Sequence, residues 1–263
     1  MKKLSPARQK SIQLEILDSI HEFCNREGLL YSLCGGTMIG AVRHQGYIPW
    51  DDDIDLMMPR EDYERFKALY KSEENEVIDL SVMDSCEEQF MKVSRKGTVM
   101  EDIVARRRLW GVNVDIFPVD GMPADYVPYT TYLQSLHREV VENCKLYKAA
   151  TKNKAYWYVR YAVKRLVHCS RINVLSCKER LNKAALAQLP GNSPLSTVIF
   201  GDFRVFPFKT EMFYNIADIV FEGKAYKCIK DTDLYLRTVY GDYMQLPPEE
   251  KRVSHHLYDS FVV

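Results

Sequence analysis

An α+β fold, a mixed sheet flanked by helices with a helical insertion, is what the sequence predicts. Three observations carry this expectation. Strand-like runs occur at Leu29–Cys34, Asp53–Met58 and Val112–Phe117, and the last two set carboxylates among apolar residues. Segments of helical periodicity, 5–28, 37–43 and 59–71, alternate with those runs. From Thr130 to Ala187 the chain reads as helix and changes its charge character.

Bulk composition bounds the function. With 263 residues and 46% hydrophobic content, one domain spanning 1–263 with ample core is expected, and 124–190 reads as a helical region inserted in it. Formal net charge is zero, so no overall field draws nucleic acid. Seven cysteines, an odd number without paired spacing, argue for a reducing cytosol and against a disulfide scaffold. No CxxC pair occurs, which speaks against a finger-type zinc. The basic start MKKLSPARQK runs into Glu15, Asp18, His21 and Glu22, unlike a signal peptide, and no run of about 18 apolar residues follows. A cytoplasmic protein is the expectation.

The elements follow in order. Ser5-Pro6 opens a helix whose stripe is Ile12, Ile16, Ile20 and Phe23, with Gly28 as a left-handed cap. Its expected role is packing. Leu29–Cys34 then leads through Gly35-Gly36-Thr37 to a short helix ending at Arg43. Glycines at a strand-to-helix junction let a phosphate approach backbone N–H groups, although an ordinary tight turn has the same sequence. Next come Asp51, Asp52, Asp53 and Asp55, four carboxylates that repel one another unless a cation sits among them. On a strand, residues i and i+2 share a face, so Asp53 and Asp55 aim at one spot suited to a hard divalent ion. The other reading is a solvated acidic turn or a capping cluster for the helix after Pro59. The apolar run Leu56, Met57, Met58 favours the strand.

Tyr47 and Trp50 border the acids. They either pack the loop or offer faces to a quaternary ammonium group. Arg43 either holds a phosphate or pairs with one of the acids. The helix 59–71 carries Glu61 and Asp62 in its first turn and buries Tyr63, Phe66, Leu69 and Tyr70. Strands are expected at Val77–Met83 and Phe90–Ser94, where Lys92 and Arg95 either neutralise a diphosphate or face solvent. In Val112–Phe117, Asp115 lies in an apolar run and needs compensation, whereas Asp120 before Gly121 reads as a turn residue.

Between Lys145 and Arg171 eight basic residues and several aromatics occur without an acid. That segment is either a solvated face or a surface for an anionic membrane. Beyond the loop at Leu189–Pro194, sheet or cover resumes at Val198–Asp202, packing elements follow at Phe206–Phe213 and Ala217–Phe221, and Thr232–Tyr240 reads as a helix.

The order Gly-Gly, short helix, aromatic loop, Asp-x-Asp resembles the nucleotidyltransferase superfamily of DNA polymerase β. More closely, GGTMIGAVRHQGYIPWDDDIDLMMPREDYERF, VNVDIFPVDGMP and YLRTVYGDYMQLPPEEKRVSHH resemble the LicD family of phosphocholine transferases, which is similar to the catalytic domains of fukutin and fukutin-related protein. The resemblance runs from about Tyr31 to His256. It implies a nucleotidyltransferase-type fold and a phosphotransferase. The donor would be a CDP-linked alcohol, CDP-choline foremost, with CDP-ethanolamine or CDP-ribitol in relatives. The acceptor would be a glycan or glycolipid hydroxyl, and CMP the leaving product. It also implies a Mg²⁺ or Mn²⁺ ion on Asp53, Asp55 and Asp115, and donor contacts from Gly35, Gly36, Thr37, Arg43, Tyr47, Trp50, Lys92, Arg95, Arg252 and His255. Two other classes stay open: transfer of a nucleoside monophosphate from a nucleoside triphosphate, and a non-catalytic binding module on the same fold.

Overall fold

The structure is a computed structural model. It describes the chain apart from residues 84–87, 103–106, 152–154, 156–158, 160–161, 164–165, 167–173, 199–204 and 255–257, and for 107 and 145–151 it describes the backbone alone. Two compact units divide it: 1–78 with 92–119 and 211–263, and 79–91 with 120–210.

The first unit is built around helix α1, Pro6–Glu27. The Ser5 side chain accepts from the Arg8 N–H, Pro6 occupies the first turn, and Gly28 closes the helix at φ 65°. Both boundaries were legible. Its buried face holds Ile12, Ile16, Leu17, Ile20 and Phe23, each of which contributes about 1.5–3 kcal/mol on burial. The polar Gln13 lies on that same face.

Strand β2, Ser32–Leu33, runs antiparallel to β3, Asp55–Pro59, and β3 runs parallel to β8, Asn113–Met122. The parallel register sets Asp55 beside Asp115. Strand β5, Met91–Arg95, joins β8 and carries β4, Asn75–Asp79, on its other side. Between β2 and β3 lies helix α2, Gly35–His44, and after β3 comes α3, Arg60–Leu69. Phe23, Phe66 and Tyr70 form an aromatic cluster, Phe66 stacked on Tyr70 at 4.7 Å. A second sheet has β13, Tyr258–Val262, between β1, Lys2–Lys3, and β6, Thr98–Asp102, with β7, Arg107–Arg108, outermost.

The sequence reading did not anticipate a hairpin of β11, Ile216–Phe221, and β12, Lys224–Ile229. Its turn is Glu222-Gly223, both at positive φ, as a tight two-residue connection requires. A helix at Thr232–Tyr240 follows, where expected.

In the second unit, α4, Tyr126–Thr151, and α5, Val174–Leu186, pack through Leu133, Leu136, Val140 and Cys144 against Val174, Cys177, Leu181 and Ala185. Lys178 on α5 is fully buried. Its ammonium donates to the carbonyls of Leu80 and Met83 at 2.7 Å and of Glu88 at 3.2 Å. Strand β9, Leu195–Val198, pairs antiparallel with β10, Phe208–Lys209. Asp120, read from the sequence as a turn residue, is instead buried within β8, because the strand runs on to Met122. Of the eight basic residues, Lys145 and Lys148 lie in α4, where the backbone alone is described, and the other six fall outside the described residues. No helix among the described residues is long and apolar enough to cross a membrane.

Candidate active site

The glycine pair begins α2 and makes room for two carboxylates. A Cβ on Gly35 would lie 2.7 Å from Asp55 Oδ2, and one on Gly36 would lie 2.5 Å from Asp51 Oδ2. Gly35 also sits at φ +56°, a conformation that favours glycine. Cys34 N–H donates to the Asp55 carbonyl at 3.0 Å, and Asp55 N–H donates to Thr37 Oγ1 at 2.9 Å. The first turn of α2 is thereby fastened to the start of β3, with carboxylates at the positive end of a helix.

Asp51, Asp52 and Asp53 each offer an oxygen within 4.8 Å of the others. Asp55 opens β3, whereas Asp53 precedes it, so strand alternation does not place Asp53. What relates the acids is electrostatic. Loss of solvent holds the Asp55 carboxyl well above the usual carboxylate range, and the charges of Asp53, Asp115 and Asp51 add to the effect while Lys92 opposes it. Asp115 is compensated from two sides: Lys92 Nζ donates to Oδ2 at 2.6 Å and the Asn113 amide donates to Oδ1. The Lys92 side chain is 5% exposed, and its ammonium also lies 4.8 Å from the Trp110 ring centre. An all-oxygen set of carboxylates, with a carboxyl destabilised by its neighbours' charge, is a donor set that fits a hard divalent cation.

Of the predicted donor residues, Tyr47 and Trp50 lie in the loop between α2 and β3, and Arg43 lies in the last turn of α2. Arg43 donates from its guanidinium to the Tyr243 carbonyl and to His44 Nε2, not to the acids. Tyr47 donates its hydroxyl to Gln13 Oε1 at 3.0 Å, and Lys10 sits 4.3 Å over its ring. The Arg252 guanidinium lies 5.7 Å from the Trp50 ring centre, which brings two predicted residues together across 202 positions. Arg95 is directed elsewhere. It pairs with Glu74 at 2.5 Å and Glu15 at 2.9 Å, because residues three apart on a strand face opposite ways and Lys92 takes the side of Asp115. His255 lies outside the described residues.

Sequence reasoning passed over three neighbours of the site. Ser254 donates to Asp52 Oδ2 at 2.7 Å. Glu222, at the hairpin tip, accepts from Tyr47 N–H at 2.9 Å, and its own N–H donates to the Gln45 carbonyl at 2.9 Å. Its carboxylate fills the space that a Gly46 side chain would need. Gln13 donates to the Asp52 carbonyl at 2.8 Å. Only Gln13 had a legible signal, a polar residue on the apolar stripe of a helix.

Comparison with known proteins identifies the family. The LicD/FKTN/FKRP nucleotidyltransferase domain matches residues 28–143, which contain the glycine pair, all the acids and Lys92. The lipopolysaccharide cholinephosphotransferase LicD of Haemophilus influenzae is 31% identical over the whole of both chains. The ribitol 5-phosphate transferases FKRP of human and mouse are 42% identical over 52 residues, 20% of this chain and 10% of theirs. The chain belongs to the LicD family and is an enzyme of that type.

Proposed function

We propose that the protein transfers phosphocholine from CDP-choline to a hydroxyl of a lipopolysaccharide-class surface glycan, releasing CMP, at the cytoplasmic face of the membrane. The observation that carries this reading is the concentration of Asp51, Asp52, Asp53, Asp55 and Asp115 about the start of α2. Full-length similarity to a protein named for cholinephosphate transfer onto lipopolysaccharide supports the substrate class.

Asp53, Asp55 and Asp115, with Asp51 and Asp52 beside them, would hold Mg²⁺ or Mn²⁺. Such an ion, when bound, offsets charge on the diphosphate oxygens. The acceptor oxygen bonds to the choline-bearing phosphorus, and the bond from that phosphorus to the CMP oxygen breaks. The acceptor proton passes to a carboxylate of the cluster. Both oxygens of Asp115 are engaged, by Lys92 and Asn113, which leaves this role to another carboxylate of the cluster. Phosphoryl transfer of this kind rests on positioning and charge stabilisation. The α2 amides at Gly35 and Gly36, with Arg43, supply N–H donors for phosphate. Tyr47 and Trp50 already attract the cations of Lys10 and Arg252, and a trimethylammonium group belongs to the same class of ring ligand.

The test is to incubate the purified protein with CDP-choline, CDP-ethanolamine, CDP-ribitol or CTP, with a lipopolysaccharide acceptor and with Mg²⁺ or a chelator. CMP release from CDP-choline, lost on chelation and in Asp53→Ala, is expected. Pyrophosphate from CTP, or full activity in Asp53→Ala, would overturn the reading.

A further inference from the structure

Helix α1 does more than cover the sheet. Gln13 is 3% exposed, on a face otherwise made of Ile16, Leu17 and Ile20. Its amide nitrogen donates to the Asp52 carbonyl at 2.8 Å and comes within 3.5 Å of the Asn113 carbonyl. Its amide oxygen accepts from Tyr47 at 3.0 Å. Asn113 in turn donates to Asp115. One turn earlier, Gln9 also reaches the Asp52 carbonyl, at 3.4 Å. A single buried amide therefore touches the segment bearing Asp51–Asp53, the first residue of the strand bearing Asp115, and the aromatic loop. The carboxylates on the first two segments repel, and the backbone that carries them has to be held from behind.

The geometry points to Gln13 as a positioning residue that holds the two acid-bearing segments at the spacing a divalent cation requires. This inference rests on the proposed cation-dependent transfer. Gln13 reaches the acids through backbone carbonyls and through Asn113 and does not itself meet substrate. Partners of this kind, one step behind the ligands, alter metal affinity or activity by about 10–100-fold when removed.

The experiment uses Gln13→Met, which keeps the volume and removes all three polar contacts. Mn²⁺ binding is read by calorimetry, and kcat, the half-saturating Mg²⁺ concentration and the metal-free Tm are read alongside. Mn²⁺ binding weakened by about tenfold or more, with a matching rise in the Mg²⁺ requirement, is expected. Ile16→Val thins the same helix's packing and serves as control. Its Mn²⁺ affinity should stay at the wild-type value even if its Tm falls. Wild-type Mn²⁺ affinity in Gln13→Met overturns the positioning role and leaves the proposed transfer standing. A wild-type protein that binds no divalent cation overturns both. If Gln13→Met does not fold, Gln13→Asn, whose amide stops one methylene short of both carbonyls, is read by the same measure, and unchanged affinity there is equally decisive against the role.

Discussion

Under the proposed function, Asp55 serves chemistry at the expense of stability. It lies against Gly35, opposite Asp115, in the field of Asp53 and Asp51, and burial and those charges disfavour its ionised form. Asp55→Asn removes that charge without changing the size of the side chain. Transfer should vanish, while the metal-free Tm at neutral pH should rise by a few degrees. Calorimetry in the presence of a chelator checks this. His21 works in the opposite sense. Its Nδ1 meets the Tyr31 hydroxyl at 2.6 Å and its Nε2 the Asn25 amide at 2.9 Å, while burial and then Lys227 hold its pKa below 6.5. The unfolded chain therefore binds this proton first. The stability from neutral His21 is full above its unfolded pKa and is lost as pH falls through 6.5 toward the folded value. Tm measured from about pH 7.5 to about pH 5.5 should drop more steeply in the wild type than in His21→Gln.

At the scale of elements, the hairpin β11–β12 acts on the site through its tip. Glu222 receives Tyr47 N–H, and Phe221 packs 5.2 Å from the Tyr47 ring. Glu222→Ala removes the acceptor. Hydrogen exchange at the Tyr47 amide should then quicken by about tenfold, while amides of the β11–β12 ladder keep their protection. In the second unit, Lys178 joins α5 to three carbonyls of the 80–88 segment. Lys178→Met leaves those carbonyls without that donor in a buried place. The expected loss in a denaturant melt is about 2–4 kcal/mol.

For the whole molecule, the sequence made local facts legible and left distant ones out. Helix α1, from its Ser5 cap to Gly28, was readable because capping chemistry is local. The apolar run around Asp115 showed only that its charge needs compensation, and its pairing with Asp55 followed from the family likeness, not from the run. The family likeness drawn from the three motif blocks agrees with the full-length match. Asp53 was misplaced on a strand because the start of β3 is set by the fastening of Asp55 to Thr37, which no periodicity reveals. Arg95 was grouped with Lys92 by nearness in sequence, although strand alternation turns the two apart. Glu222 and Ser254 were invisible because their partners lie 175 and 202 positions away.

Those long spans shape how the site comes into being. Ser254 to Asp52, Arg43 to Tyr243 and Tyr47 to Glu222 are bonds that no helix or hairpin can form on its own. Each waits until a long stretch of chain has closed, an entropic toll that local structure never meets. During refolding the acids of the 51–55 segment can gather early between α2 and β3, but the walls around them arrive last, so catalytic competence should trail the recovery of helical signal.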